Sequence, residues 1–425
     1  MVSSSTTHTN RKVSFNCLKH GQWPVLLLSP ALCLITSIRA IKKGDVRACW
    51  AIPFVMGLIA YLFPPFADFA RTENDILELL DLPLSAVIAL RGDLVLTAIE
   101  YFFLKNGIPI EFFRFLYTFI GYFFITKIVV DITKKQSLSS YTFFYVWLFL
   151  FFQVEFFGYI DNIRTIFVRL VLLYCMYQYF FNNLERYRYY SLLLIPVHFA
   201  YFPILLLFFI SKYIIINFSR KIRILVVAGL FFGWVLSDYI NVPALFSGIN
   251  FGDAINKRIL VYTEGEWSSD GESSNSLSFA YKIYTSLASL GSYYIMFVFC
   301  KAKYNFNIER FSILLGIVCL MTLSIPVLFG RYIGFFHLTI ILFVLYGYCN
   351  GLIKQKQMKV YLALCMFKML LDIYAYWNCI VNGNLFYVFL PLPLALFQTY
   401  NFAEWRDHHL ADDFDKIVNG GILSR

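Results

Sequence analysis

The chain has 425 residues, of which 59% are hydrophobic and only 15% charged, with a formal net charge of +10 and a mean hydropathy of +0.65. A soluble globular protein carries roughly 45–50% apolar and about 25% charged residues, so the composition argues against a water-soluble fold. Disorder is excluded too, because so much aromatic and branched apolar surface cannot stay solvated. In a soluble protein the positive charge would raise the question of nucleic acid. Here it matches the excess of Lys and Arg that fixes the topology of membrane loops, and no nucleic-acid partner is expected.

Continuous apolar runs close to the length of a membrane span recur along almost the whole chain. A β-barrel would instead alternate apolar and polar residues over about ten positions. The runs predict an all-α, polytopic integral membrane protein with about 11–12 transmembrane helices. Its spans fall near 22–38, 49–64, 109–130, 141–157, 164–181, 223–241, 280–300, 311–329, 332–350, 358–377 and 384–398. A tail, 1–21, precedes them. It holds Arg11, Lys12 and Lys19 ahead of an apolar stretch, the layout of a signal peptide. No small-residue cleavage site follows, and the basic stop at Arg39, Lys42, Lys43 and Arg47 predicts a retained first helix.

The segment 65–108 contains ADFARTEND and then an amphipathic stretch, LRGDLVLTAIEYFFLKNG. It is too charged to span and is expected in the interface. Between 189 and 216 an apolar run too long for one comfortable span carries Pro196 and Pro203, with basic residues on both sides. A broken helix or helical hairpin that returns to its starting side accounts for both features, because proline frees backbone groups that the protein interior must satisfy. Residues 242–279 form a Gly-, Ser- and Asn-rich loop. Lys and Arg number 17 on one set of alternating loops and 7 on the other. The first set is cytoplasmic by the positive-inside rule, which puts 65–108 and 242–279 outside and the tail 399–425 in the cytoplasm. Residues 22–398 then form a single membrane domain.

The nine cysteines lie mostly inside apolar runs without a CxxC pair and are read as packing residues. P-loop, GxGxxG, HExxH and GxSxG motifs and an outer DxD pair are absent. No metal site and no cofactor is expected. What remains is a set of ionisable residues near outer span ends, where charge is costly and marks function by default.

Two readings stand for each. Arg164, three residues after Asp161 in DNIRTIFVRL, either pairs with that carboxylate at a helix start or presents a guanidinium fork to a phosphate or pyrophosphate. Arg331, in GRYIGFF, is expected in a tight outer turn, as a headgroup anchor or a ligand cation, with Gly330 and Gly334 permitting close approach. His198, between the two prolines, is either a general base or a histidine bonded to a freed carbonyl. Asp68 and Arg71 bind sugar hydroxyls or are solvated loop residues. Lys257, Arg258 and Tyr262 close over an anionic substrate or are ordinary loop residues. Lys368 and Asp372, four apart, read as a structural ion pair.

Taken together, the short first span with its basic loop, ADFARTEND, the amphipathic stretch, DNIRTIFVRL, PVHFAYFP, NKRILVY and GRYIGFF resemble the Wzy-type O-antigen polymerases, within them the EpsG-like group. The resemblance covers about 60–400. It implies an inverting, metal-independent glycosyltransferase that polymerises undecaprenyl-pyrophosphate-linked repeat units on the outer face of the bacterial inner membrane, with a repeat-unit flippase and a chain-length regulator as partners. Arg164, Arg258 and Arg331 would stabilise the departing pyrophosphate, and His198, or else Asp68, would be the base. Asp161, Asn162 and Tyr332 join Arg71, Lys257, Arg258 and Tyr262 as substrate-binding residues. Thr165 and Tyr201 depart from the family's pattern. A lipid-linked oligosaccharide flippase, a membrane acyltransferase and an O-antigen ligase are the competing classes.

Overall fold

The computed structural model describes residues 22–136, 143–147, 156, 162–213, 218–235 and 306–398, apart from 44, 65–66, 92, 145, 324–325, 350 and 352. Their regular elements are helical, with no strand among the described residues. Among the described residues two helices are long and apolar enough to cross a membrane: Ile110–Ile132, of mean hydropathy 1.6, and Ile163–Phe180, of mean hydropathy 1.2. The expected span at 280–300, most of that at 141–157, the loop 242–279 and both tails lie outside the described residues.

The first apolar run is not one rod. It forms α1 (Gln22–Leu28) and α2 (Pro30–Lys42). Ser29, extended at φ −164°, caps the second helix and Pro30 opens it. Thr36 donates to the Gln22 side chain at 2.9 Å, so α1 folds back along α2. Next come α3 (Ala51–Tyr61), α4 (Ala67–Leu77), α5 (Leu84–Arg91), α6 (Leu94–Lys105) and α7 (Ile110–Gln136). Helix α3 packs closely on α7: a Cβ at Gly57 would lie 2.9 Å from the Phe115 carbonyl oxygen, an approach only glycine allows.

Helix α8 (Ile163–Phe180) runs beside α7 in the same direction. Tyr117 meets Phe167 with ring centroids 4.6 Å apart, Phe124 meets Tyr174 at 4.8 Å, and Tyr177 donates to Asp131 at 2.9 Å.

The expected hairpin is present. Helix α9 (Arg186–Ser191) continues into a tight turn at Leu192–Leu194. The chain then breaks, resumes at Phe199–Tyr201 and enters α10 (Phe202–Ile210). Its two arms lie side by side, because Arg188 donates to the Phe209 carbonyl at 3.0 Å and Lys212 bridges to Glu185 at 2.7 Å. Arg188 is only 1% exposed, with Tyr179, Tyr189, Phe209 and Tyr213 around its guanidinium.

Beyond it stand α11 (Arg220–Val235), α12 (Phe306–Met321), α13 (Pro326–Cys349), α14 (Gln355–Ala375), α15 (Trp377–Asn382) and α16 (Leu392–Leu396). Two expectations are corrected here. The boundary between the spans at 311–329 and 332–350 falls at Thr322–Leu323 and 324–325, ahead of Pro326, so Arg331 sits inside α13 rather than in a turn. Proline at the start of a helix is the stronger signal, since its missing N–H has no intrahelical partner to lose, and the helix runs through Gly330 and Gly334. The span expected at 384–398 is a short turn, Leu385–Phe389, followed by α16. Pro391 and Pro393 interrupt the apolar run, and the segment is tied to the end of α3 by Asn384 N–H to Leu62 O at 3.0 Å and Tyr61 to Leu396 O at 3.1 Å.

Helices α4, α6 and α7 enclose a charged cluster. Glu73, Glu100, Glu111 and Arg114 are 7%, 2%, 3% and 0% exposed. Arg114 donates to the Phe63 and Pro64 carbonyls just past α3 and lies over the Phe69 ring at 4.9 Å. Burial, and then the negative charge of Glu111, push the Glu73 carboxyl up to about 8, against the opposing pull of Arg114.

Two outcomes are expected. Between its ordinary value and about 8 the folded chain holds a proton on Glu73 that the unfolded chain has released, so stability falls as pH rises through that window. Glu73→Gln should flatten this limb of the unfolding-midpoint profile, and an unaltered slope would assign the pH dependence elsewhere. Arg188→Ala, which removes a buried donor and its stacked stem, should destabilise by ~2–4 kcal/mol in detergent thermal unfolding. Lys212→Ala, at the exposed base of the same hairpin, should leave the midpoint in place.

Candidate functional site

The break in the hairpin organises the site. Pro196 interrupts the helix, and His198 takes an extended conformation at φ −155°, ψ 99°. Val197 and His198 N–H still turn back to the Leu194 carbonyl at 3.1 Å, but the carbonyls of Pro196 and Ala200 need outside donors, which two other helices supply while a third holds Tyr201. Val95 N–H, at the start of α6, donates to the Pro196 carbonyl at 3.2 Å. Tyr332 of α13 donates to the Ala200 carbonyl at 2.8 Å. Arg169 of α8 donates from Nε to the Tyr201 hydroxyl at 2.8 Å and from Nη2 to the carbonyls of Gly330 and Arg331 at 3.2 and 2.9 Å. Tyr201 in turn donates to the Arg331 carbonyl at 3.1 Å. Gly334 makes room for that guanidinium: a Cβ there would collide with it, whereas a Cβ at Gly330 meets nothing within 4 Å.

On this frame the ionisable side chains converge. Asp93 stands at the N-terminal boundary of α6, yet it makes no capping bond. Its carboxylate is turned instead to Arg164, whose Nη1 donates to Oδ2 at 2.6 Å. The other oxygen, Oδ1, faces His198 Nδ1 at 3.6 Å, an ion-pair separation beyond hydrogen-bond reach. Arg164 lies in the first turn of α8, a helix capped by Asn162, whose Oδ1 accepts from Thr165 N–H at 3.3 Å. Arg331 comes from α13, and its charge also acts on His198.

His198 is 5% exposed and Asp93 8%, and neither ring nitrogen of the histidine has a hydrogen-bond partner among the described residues. Burial alone would raise the Asp93 carboxyl. The facing His198 ring and the Arg164 guanidinium together overcome it and hold the group at about 2. The site therefore combines an ionised carboxylate, two arginines and an imidazole. Such a set can bind an anion, and through His198 Nε2 it can take a proton.

Of the residues singled out from sequence, His198, Arg164, Arg331 and Tyr332 meet here. The Tyr332 hydroxyl is engaged with Ala200 O. Arg164 pairs with Asp93, across 71 positions of sequence. Asp68 and Arg71 lie in the first turns of α4, a helix rather than the expected loop. Asp161, Lys257, Arg258 and Tyr262 fall outside the described residues. Lys368 and Asp372 sit one turn apart on α14. Cys33, Cys49, Cys175 and Cys319 are free thiols, and no cluster of three or more metal-ligating side chains occurs among the described residues.

Asp93 is what sequence reading missed. Hydropathy makes its neighbourhood one amphipathic stretch, whereas Arg91–Gly92–Asp93 ahead of the apolar run LVLTAI is a helix-start pattern. Tyr201, a departure from the resembled family's pattern, is accounted for: it is fully buried and its hydroxyl joins Arg169 to α13. Comparisons with protein-family models, curated proteins and solved structures give no match.

The frame itself is testable. Gly334→Ala should destabilise by ~1–3 kcal/mol through overpacking against Arg169. Gly330→Ala should hold or slightly raise the unfolding midpoint, since alanine is the better helix former. Equal losses at both positions would remove close approach as the cause.

Proposed function

We propose that the chain is a polytopic membrane glycosyltransferase that polymerises undecaprenyl-pyrophosphate-linked oligosaccharide repeat units into a surface polysaccharide, on the outer face of the bacterial inner membrane. The observation that carries the reading is the convergence of Arg164, His198 and Arg331 from three distant segments on the break of the hairpin, where His198 is buried.

In this reading an acceptor hydroxyl attacks the anomeric carbon of the lipid-linked donor from the face opposite the leaving group. The bond from that carbon to the pyrophosphate oxygen breaks, and its electron pair leaves with undecaprenyl pyrophosphate. Arg164 and Arg331 meet the charge that develops there, in a setting largely closed to water where such interactions are strongest. His198 Nε2 takes the hydroxyl proton. No step calls on a metal ion or cofactor. A repeat-unit flippase would deliver the substrates and a chain-length regulator would act on the product.

The competing transporter reading needs a cation midway along a span, and Arg169 is such a residue in Ile163–Phe180. Its guanidinium is engaged with Tyr201 and two backbone carbonyls, which weighs against a transported ligand there.

The test is the length distribution of surface polysaccharide in the source strain after deletion of the gene, complemented with wild type, Arg164→Ala, Arg331→Ala or His198→Gln. Single repeats should reach the surface without extension in the deletion strain. Each variant at normal expression should restore less than about one hundredth of the wild-type chain extension. Lipid-linked repeats trapped inside the cell would instead identify a flippase and overturn the reading.

A further inference from the structure

Asp93 carries the furthest inference, because one carboxylate serves two different groups and serves them unequally. Oδ2 has a short, charge-assisted bond from Arg164 at 2.6 Å. Oδ1 is held 3.6 Å from His198 Nδ1, a few tenths of an ångström too far to bond. The distance is not slack in the backbone. Val95 N–H fixes the start of α6 to the Pro196 carbonyl at 3.2 Å, so residues 93 and 198 are each held from two positions away. What sets the carboxylate's tilt is the pull of Arg164.

We propose, resting on the polymerase reading above, that Asp93 is a positioning residue that couples donor binding to base activation: a pyrophosphate captures Arg164, and the released carboxylate closes on His198 Nδ1. In the resting site Arg164 is neutralised by Asp93 and His198 is incompletely supported. Pyrophosphate, with more charge and more acceptor oxygens than a carboxylate, competes for the same guanidinium fork. Once Arg164 turns to it, Asp93 has one partner left. Closing by under an ångström gives Nδ1–H a full hydrogen bond, which fixes the tautomer with Nε2 as acceptor and makes that nitrogen more basic.

The proton balance is complete: the acceptor hydroxyl proton moves to Nε2 while the proton on Nδ1 stays between ring and carboxylate. The resulting imidazolium faces an ionised Asp93, with Arg331 as the other charge acting on the ring besides Arg164 and Asp93. The imidazolium returns its proton to water when the products leave. A base that is fully supported only after the donor has docked does not activate water in the empty site.

The signature is a split between binding and turnover. With the full-length protein in lipid nanodiscs and inorganic pyrophosphate as probe, Asp93→Asn should bind about tenfold tighter than wild type, because Arg164 loses its resting partner. With lipid-linked repeat units from the deletion strain as substrate, the same variant should turn over about a hundredfold more slowly, and Asp93→Glu should recover part of the rate. Arg164→Ala should abolish pyrophosphate binding, and His198→Gln should weaken it less, because the carboxylate released from Arg164 then has no imidazole to close on.

A purely structural Asp93 would lower both binding and turnover in Asp93→Asn, and that result overturns the proposal while leaving the polymerase reading standing. Absence of Arg164-dependent pyrophosphate binding in the wild type overturns both. A second measurement needs no Asp93 variant: with the six histidines labelled with nitrogen-15, saturating pyrophosphate should raise the pKa of one imidazole, whose signal is missing in His198→Gln. An unmoved His198 signal in the pyrophosphate-bound protein would equally overturn the coupling.

Discussion

The guanidinium of Arg169 is the interaction on which the rest of the site depends. An apolar hairpin broken by proline exposes carbonyls that the helix no longer satisfies, and in an interior without water each must find a donor. Arg169, 5% exposed, reaches from α8 to Tyr201 beyond the break and to the carbonyls of Gly330 and Arg331 on α13. Tyr332 returns from α13 to Ala200, and the backbone of α6 closes the remaining side at Pro196. The break is therefore a joint between four segments rather than a flexible interruption. A buried arginine whose donors are taken up by neutral oxygens also keeps its charge within the site, adding to the positive potential that Arg164 and Arg331 create.

Charge balance follows from that frame. Two partly exposed arginines, one carboxylate and a neutral imidazole leave the site short of negative charge when empty. In the proposed reaction an anionic donor would meet Arg331 and compete with Asp93 for Arg164. The N-terminus of α6 assists, because Asp93 stands where the helix dipole favours an anion. The His198 ring and the Arg164 guanidinium are what hold a carboxylate 8% exposed down at about 2, although burial by itself would have raised it.

Local signals in the sequence carry some of this architecture and not the rest. The hairpin was legible because Pro196 and Pro203 sit inside an apolar run flanked by charge, and steric rules act within a few residues. The starts of α7 and α8 were legible for the same reason. A lone charge between two apolar runs puts Arg331 in a turn by hydropathy, while Pro326, five residues earlier, marks the helix start. Hydropathy alone also merged α1 with α2, and the turn at Leu385–Phe389 with α16, since folding back at Ser29 or breaking at Pro391 does not alter average apolarity. Asp93 lay beyond reach for a different reason. Its partners are 71 and 105 positions away, and nothing in the local pattern of an acidic residue before a helix distinguishes a cap from a site.

Tyrosine content makes sense in the same terms. The 30 tyrosines could be taken as interfacial belt residues, but several are buried and each spends its hydroxyl on a specific oxygen. Tyr201 and Tyr332 serve the break, Tyr61 the last carbonyl of α16, Tyr101 the Leu82 carbonyl after α4, and Tyr177 the Asp131 carboxylate. A fold made of interrupted helices has many carbonyls to satisfy where a lysine or glutamine would bring surplus polar atoms with no partner. Tyrosine brings a large apolar ring and a single donor. It can therefore close one broken turn at a time without adding charge. Tyrosines that serve the break in this way leave Arg164, Arg331, Asp93 and His198 as ionisable groups where α6, α8 and α13 meet the hairpin.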